Sequence, residues 1–158
     1  MYQYHHHTNT KLITQDTNVS LHDCKATQIS LKDKLLSFLF PDGFWVSKKD
    51  SDNEKLFYTD EGQVNFTLLY DAKVAVTIYI FTEKDGKIIR EELTIEELIH
   101  QINEKLCSLE FLYSYIGYQT FKFDCWIWFD KEPYHKECEL IISSQEIVYQ
   151  WNNLYEES

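Results

Sequence analysis

Histidine and cysteine occur at metal-ligand spacing in two places, His22-Asp23-Cys24 and His135-Lys136-Glu137-Cys138. Zinc takes imidazole and thiolate in tetrahedral sets, so His22, Cys24, His135 and Cys138 from two separate loops would complete a structural site. Against that reading, His22 and Cys24 fall on one face of an expected strand, no zinc-knuckle spacing is present, and cysteine is readily buried as a small apolar residue. Structural zinc is the one cofactor the sequence raises. Cys24 beside His22 or His135 could also form an activated thiolate, yet nothing nearby supplies the electropositive surroundings that lower a thiol pKa.

Acid–base or glycosidic chemistry needs two carboxylates flanking one cleft. Glu91-Glu92, Glu96-Glu97 and Glu156-Glu157 are neighbours in sequence, and neighbours diverge in both helix and strand. There is no Gly-x-Ser-x-Gly turn and no glycine-rich phosphate loop. An uncharacterised enzyme therefore stands third, behind two non-catalytic readings.

Aromatic residues carry a stronger signal. In Phe121-Lys122-Phe123-Asp124-Cys125-Trp126-Ile127-Trp128-Phe129-Asp130, strand alternation puts Phe121, Phe123, Cys125, Ile127 and Phe129 on one face. Lys122, Asp124, Trp126, Trp128 and Asp130 line the other. The first face reads as core, and the second leaves two indoles needing cover from a helix, a second sheet or a partner. Trp45, Trp126, Trp128 and Trp151, with Tyr113, Tyr115 and Tyr118, exceed simple core filling, and such residues favour interfaces.

Charge narrows the partner. The net charge is −11, with 26 acidic residues against 15 basic ones, of which Arg90 is the sole arginine. Nucleic-acid binding needs clustered cations, so direct binding to DNA or RNA is not expected and a basic protein partner fits better. The acidic residues Asp50, Asp52, Glu54, Asp60 and Glu61 concentrate in the polar stretch from Lys48 to Gly62, which reads as a surface loop. No apolar run reaches a membrane span and no secretory leader is evident, so a cytoplasmic protein is expected. The four cysteines are too scattered for a disulfide framework, and reduced thiols are the default.

The elements that must position these residues are mostly strands. Residues 1–18, including His5-His6-His7, read as a flexible polar leader, and 19–158 as a single globular domain. Val19 to Leu31, Leu35 to Phe40 and Phe44 to Val46 form a meander, with Pro41-Asp42-Gly43 as a turn. Asp85-Gly86 joins a hairpin made by Val74–Phe81 and Ile88–Leu93. Thr94 and Glu97 have capping-box spacing, and Ile95, Leu98, Ile99, Ile102 and Leu106 make one stripe, so a helix over 94–107 is predicted to lie on the indole face. Ile147, Val148, Trp151 and Leu154 suggest a short C-terminal helix. The expected class is α+β, predominantly β: an antiparallel meander of about eight or nine strands, curled or two-layered.

The favoured function is a non-catalytic interaction module whose acidic, aromatic surface binds a basic partner through Trp126, Trp128, Tyr113, Tyr115 and the 50–61 carboxylates. One version is an inhibitor, such as an immunity or counter-defence protein, that imitates nucleic-acid charge. The alternative is a β-barrel-like protein holding a small apolar or aromatic ligand among Phe38, Phe40, Trp45, Phe66 and Phe123. Oligomeric state is not legible in the sequence.

Overall fold

Period-two alternation governs nearly the whole chain. In the computed structural model, which describes residues 1–9, 17–50 and 52–157, β1 is Tyr4–Asn9, β2 Thr17–Ser20, β3 Cys24–Ala26, β4 Gln28–Lys32 and β5 Leu35–Phe40. They are followed by β6 Trp45–Asp50, β7 Asn53–Thr59, β8 Gly62–Leu68, the single-turn α1 Ala72–Ala75, β9 Val76–Lys84 and β10 Lys87–Leu93. The helix α2 is Ile95–Asn103, and β11 Cys107–Gly117, β12 Thr120–Phe129, β13 His135–Trp151 and β14 Leu154–Glu156 complete the order. The class is α+β, predominantly antiparallel β, and all the strand pairings described are antiparallel. Among the described residues, no helix is long and apolar enough to cross a membrane.

Two chain segments curl the larger sheet onto itself. Its order runs β3-β11-β12-β13-β8-β5-β4, and β3 and β4 are separated only by Thr27, whose N–H donates to the Leu39 carbonyl at 3.1 Å. One segment thus borders both ends of the sheet. The 17-residue β13 does the same work opposite: His135–Ser143 pairs with β12, Glu137–Ile142 also pairs with β9, and after an irregularity between Ser144 and Ile147 the strand runs between β8 and β1. Ser144 is fully buried at that bulge, and its hydroxyl lies 2.7 Å from the Thr67 carbonyl and 2.9 Å from that of Glu146. The satisfied hydroxyl lets an interior strand change neighbours without an orphaned polar group.

Phenylalanine fills the enclosed side. Phe38 meets Phe66 at 5.7 Å between ring centroids and Phe111 at 5.6 Å, Phe66 meets Phe121 at 6.0 Å and Phe123 at 5.9 Å, and Phe111 meets Phe123 at 5.0 Å. These edge-to-face contacts satisfy the ring quadrupoles in a dry interior. Phe40, Phe44, Tyr149 and Trp151 extend the cluster toward the second sheet, ordered β14-β7-β6-β2. Phe38 and Phe123 each pack on Phe66 and Phe111, Phe40 packs on Phe44 and Phe111, and Trp45 packs on Tyr58 at 4.5 Å, so all five residues offered as a ligand lining are engaged with other aromatic rings.

The hairpin at Asp85-Gly86 forms as expected, with φ of 54° and 74° that match the twist of the flanking strands. The Pro41-Asp42-Gly43 turn forms too. Gly43 has φ +81°, and a Cβ there would run into the Thr59 and Asp60 carbonyls.

Four expectations are corrected. The leader reading fails for Tyr4–Asn9, which pairs with the second edge of β13, and for Thr17–Asn18, which starts β2; residues 10–16 lie outside those described. An unsatisfied strand edge recruits such a segment by backbone hydrogen bonding. The 48–62 stretch is the hairpin β6–β7, not a loop, because Lys49 opposite Glu54 and Asp50 opposite Asn53 form a ribbon whose polarity reflects exposure on both faces. The C-terminal helix is replaced by β13 and β14, since Ile147, Tyr149 and Trp151 bury at period two. Finally, α2 starts with the expected Thr94/Glu97 capping box but ends at Asn103 and turns its stripe inward. Ile95, Leu98 and Ile102 join the phenylalanine core, and the Asn103 amide pairs with both the N–H and the C=O of Ile29 on β4, at 2.9 and 2.8 Å. The indole face is left without a helix.

Two outcomes follow from this packing. Phe66→Ala removes the ring that Phe38, Phe121 and Phe123 share and should lower unfolding free energy by about 3–5 kcal/mol in urea titration; a change below about 1 kcal/mol contradicts the filled interior. Burial pushes the Cys24 and Cys107 thiols up to about 11 and that of Cys138 up to about 12, from an ordinary value of 9.0. Because the folded values lie above the unfolded ones, the stabilisation is complete below pH 9 and disappears as pH rises toward 11 and 12. The urea midpoint should therefore hold from neutrality to pH 9 and then fall steadily; a midpoint unchanged between pH 9 and 11 contradicts buried neutral thiols.

Candidate functional site

Strand register turns the outer face of the curled sheet into rows. Lys25 on β3 stands opposite Glu110 on β11, which stands opposite Trp126 on β12, then Glu137 on β13, Phe81 on β9 and Arg90 on β10. The adjacent row reads Tyr113, Asp124, Glu139, Tyr79 and Glu92, and the next begins Tyr115, Lys122, Ile141 and Thr77. Neighbours within a row are about 4.8 Å apart between strands, and rows are about 6.6 Å apart along them. Carboxylates and aromatic rings therefore interdigitate on one continuous surface.

Local contacts fix most of the face. Lys122 bridges Asp124 at 3.6 Å and Glu139 at 3.7 Å, which relieves two carboxylates held directly opposite each other. The Trp128 indole N–H donates to Glu110 at 3.0 Å, and Lys25 lies 4.9 Å above the Trp128 ring. His135 stacks on Trp126 at 4.4 Å with an interplanar angle of 20°, and Trp126 meets Trp128 edge-on at 5.5 Å. Arg90 sits over Tyr79 at 4.4 Å, and Lys122 over Tyr115 at 5.3 Å. Glu137 is different. Its carboxylate is exposed between Trp126 and Phe81, with no side-chain hydrogen bond or ion pair among the described residues.

The partner-binding residues chosen from sequence divide into two groups. Trp126, Trp128 and Tyr113 lie on this face, the indoles half-buried and Tyr113 60% exposed, with Tyr115 one row further along. Because β3 ends at Cys24 opposite Phe111, the end of β11 carrying both tyrosines has no strand beside it on that edge among the described residues. The five acidic residues lie elsewhere. Asp50, Asp52 and Glu54 are at the tip of β6–β7 among Lys48, Lys49 and Lys55, which makes that tip a mixed surface. Asp60 accepts hydrogen bonds from the backbone N–H of Asn152 (3.3 Å) and Asn153 (3.2 Å) and from the Asn153 amide (2.7 Å). Partial burial works to raise the Asp60 pKa, but these bonds outweigh it and leave the carboxyl below its ordinary value, so Asp60 has a structural job. Glu61 accepts a long bond, 3.4 Å, from the Tyr2 hydroxyl.

The four candidate zinc ligands are not brought together. Cys24, Phe111, Cys125 and Cys138 stand opposite one another on four successive strands, so two whole strands separate Cys24 from Cys138. His135 stacks on the outer indole while Cys138, an odd number of residues along, is buried on the inner side. His22 gives its Nδ1 to the Leu112 carbonyl at 2.6 Å and packs on Tyr113. Among the described residues no group of three or more His, Cys, Asp or Glu could hold a metal ion. The raised thiol values also run opposite to the depression a nucleophilic cysteine needs.

Sequence reasoning missed Phe81, Glu137, Glu139 and Arg90 as members of the face. Alternation placed Asp124 with Trp126, and Glu139 with Ile141, but which strand stood beside which was not encoded locally. No family model matches the chain, and neither a curated protein nor a solved structure matches it.

Proposed function

We propose that this chain is a non-catalytic interaction module that acts in the cytoplasm and docks a basic protein partner on the outer face of β11, β12, β13, β9 and β10. The observation that carries the reading is the row Glu110, Trp126, Glu137 and Phe81 beside the row Tyr113, Asp124 and Glu139, left open to solvent because α2 packs inward. Indoles and tyrosines supply desolvatable contact area, while carboxylates steer a cationic surface and reject anionic ones. Four free, buried cysteines accord with a reducing compartment.

In its most specific form the partner is an enzyme whose cationic groove otherwise holds nucleic acid, and this chain competes for that groove. Glu137 and Glu139 repeat along one strand with Asp124 beside them, so negative charge is presented at regular intervals on a rigid sheet rather than on mobile loops. The ligand-chamber reading has no comparable support, given the phenylalanine-filled interior.

The test is a titration of the protein against a panel of basic nucleases and DNA-binding proteins at about 20 mM and 150 mM salt, with competition by duplex DNA. At least one partner should bind at low salt and weaken at high salt. Trp126→Ala should weaken that complex by about 2 kcal/mol or more, and the triple variant Asp50→Asn, Asp52→Asn, Glu54→Gln by less than about 0.5 kcal/mol. Absence of binding across the panel at low salt, or equal losses from the two variants, contradicts the proposal.

A further inference from the structure

The middle of the outer face is concave. Phe81, Tyr113, Asp124, Trp126, Glu137 and Glu139 line a groove of about 590 Å3, with the exposed Ile88 side chain at its β10 border. We infer that this groove is a guanidinium site, which receives one arginine side chain of the partner; the inference rests on the docking reading and names the group that reading would seat there.

Three features point to this occupant. First, the face already uses the same chemistry internally: Arg90 lies on Tyr79, Lys122 on Tyr115 and Lys25 on Trp128, at 4.4, 5.3 and 4.9 Å. The rings lining the groove, Phe81, Tyr113 and Trp126, carry no internal cation among the described residues, although they occupy equivalent positions in the rows. Second, the Glu137 carboxylate stands directly between Trp126 and Phe81 with no partner of its own, while Lys122 compensates only the Asp124 and Glu139 pair beside it. An incoming cation would complete the alternation of charge and ring that holds elsewhere on the face. Third, His135 and Trp128 pack on Trp126 but do not line the groove, so they brace the indole from outside it.

Arginine suits this arrangement better than lysine or a quaternary ammonium. A guanidinium is planar and weakly hydrated, so it can lie on an aromatic face and still fork two N–H donors onto one carboxylate. An ammonium is more strongly hydrated and makes a point contact. A quaternary ammonium donates no hydrogen bond, prefers a closed aromatic box, and would leave Glu137 unsatisfied. Carboxylates on both flanking rows exclude anionic groups from the groove.

The test uses isotope-labelled full-length protein titrated with L-arginine amide, L-lysine amide and the neutral isostere L-citrulline amide. Arginine amide should bind with a dissociation constant on the order of millimolar and shift the Trp126 indole N–H together with the backbone signals of Phe81 and Glu137. Lysine amide should bind several-fold more weakly, and citrulline amide should produce no saturable shift. Glu137→Gln, which keeps size at an exposed position, and Phe81→Leu, which keeps apolar bulk, should each weaken arginine amide by about tenfold. Equal binding of citrulline amide, shifts centred on the β6–β7 tip, or unchanged affinity in both variants overturns the guanidinium site. Basic proteins binding to the face while arginine amide ignores the groove would overturn this inference and leave the docking reading intact. Arginine amide seated in the groove with no basic protein bound by the face would do the reverse.

Discussion

Closure of the larger sheet is the constraint on which everything else depends. Once β3 pairs with β11 and β4 with β5, separated by Thr27 alone, the sheet has an inside that must be filled. Phe38, Phe66, Phe111, Phe121 and Phe123 fill it by edge-to-face packing, each almost wholly removed from water. The helix α2 is drawn into the same core because Ile95, Leu98 and Ile102 gain more from that apolar interior than from a half-polar outer surface. Asn103 then ties its last turn to Ile29 on β4. With its stripe spent inward, α2 does not cover Trp126 and Trp128, which among the described residues are shielded in part by His135 and Lys25 and stay half-buried.

The outer face is thus a consequence of the inner one, and its electrostatics follow from strand order. Antiparallel neighbours put Asp124 opposite Glu139, an arrangement that destabilises a sheet unless a cation intervenes. Lys122 is that cation, reaching both carboxylates from the following row. Glu110 is held by the Trp128 indole. Among the described residues Glu137 stands unpaired between two rings, which places uncompensated charge at the concave centre of the face. The β6–β7 tip intersperses Asp50, Asp52 and Glu54 with Lys48, Lys49 and Lys55, so its field largely cancels. Organisation, more than the net charge of −11, separates the two regions.

What could be read from residues alone follows the range of the forces involved. Local rules located the Asp85-Gly86 hairpin, the Thr94/Glu97 cap and the two-faced strand at Phe121–Phe129, because turn geometry, capping and alternation act within a few residues. Tyr4–Asn9 escaped notice because its strand character comes from a free edge of β13 contributed some 140 residues later. Ile147, Val148, Trp151 and Leu154 satisfy a helical period by coincidence, and burial of Tyr149 against Phe44 decides for strand. The helix was legible, but its destination was not: a single apolar stripe says that cover is sought and leaves open which surface supplies it. For the site, Trp126, Trp128 and Tyr113 stood out by type, whereas Phe81 and Glu137 acquire meaning only through cross-strand register.

Hydroxyl-radical footprinting read by mass spectrometry addresses the central claim most directly, that one face of the sheet is sealed by phenylalanine while the opposite face stands open. The account predicts rapid modification of Tyr113, Trp126 and Trp128, with Phe38, Phe66, Phe121 and Trp151 protected to near background. Protection of Trp126 and Trp128 to the level of Trp151 would show that another part of the chain covers the indoles, and would contradict it.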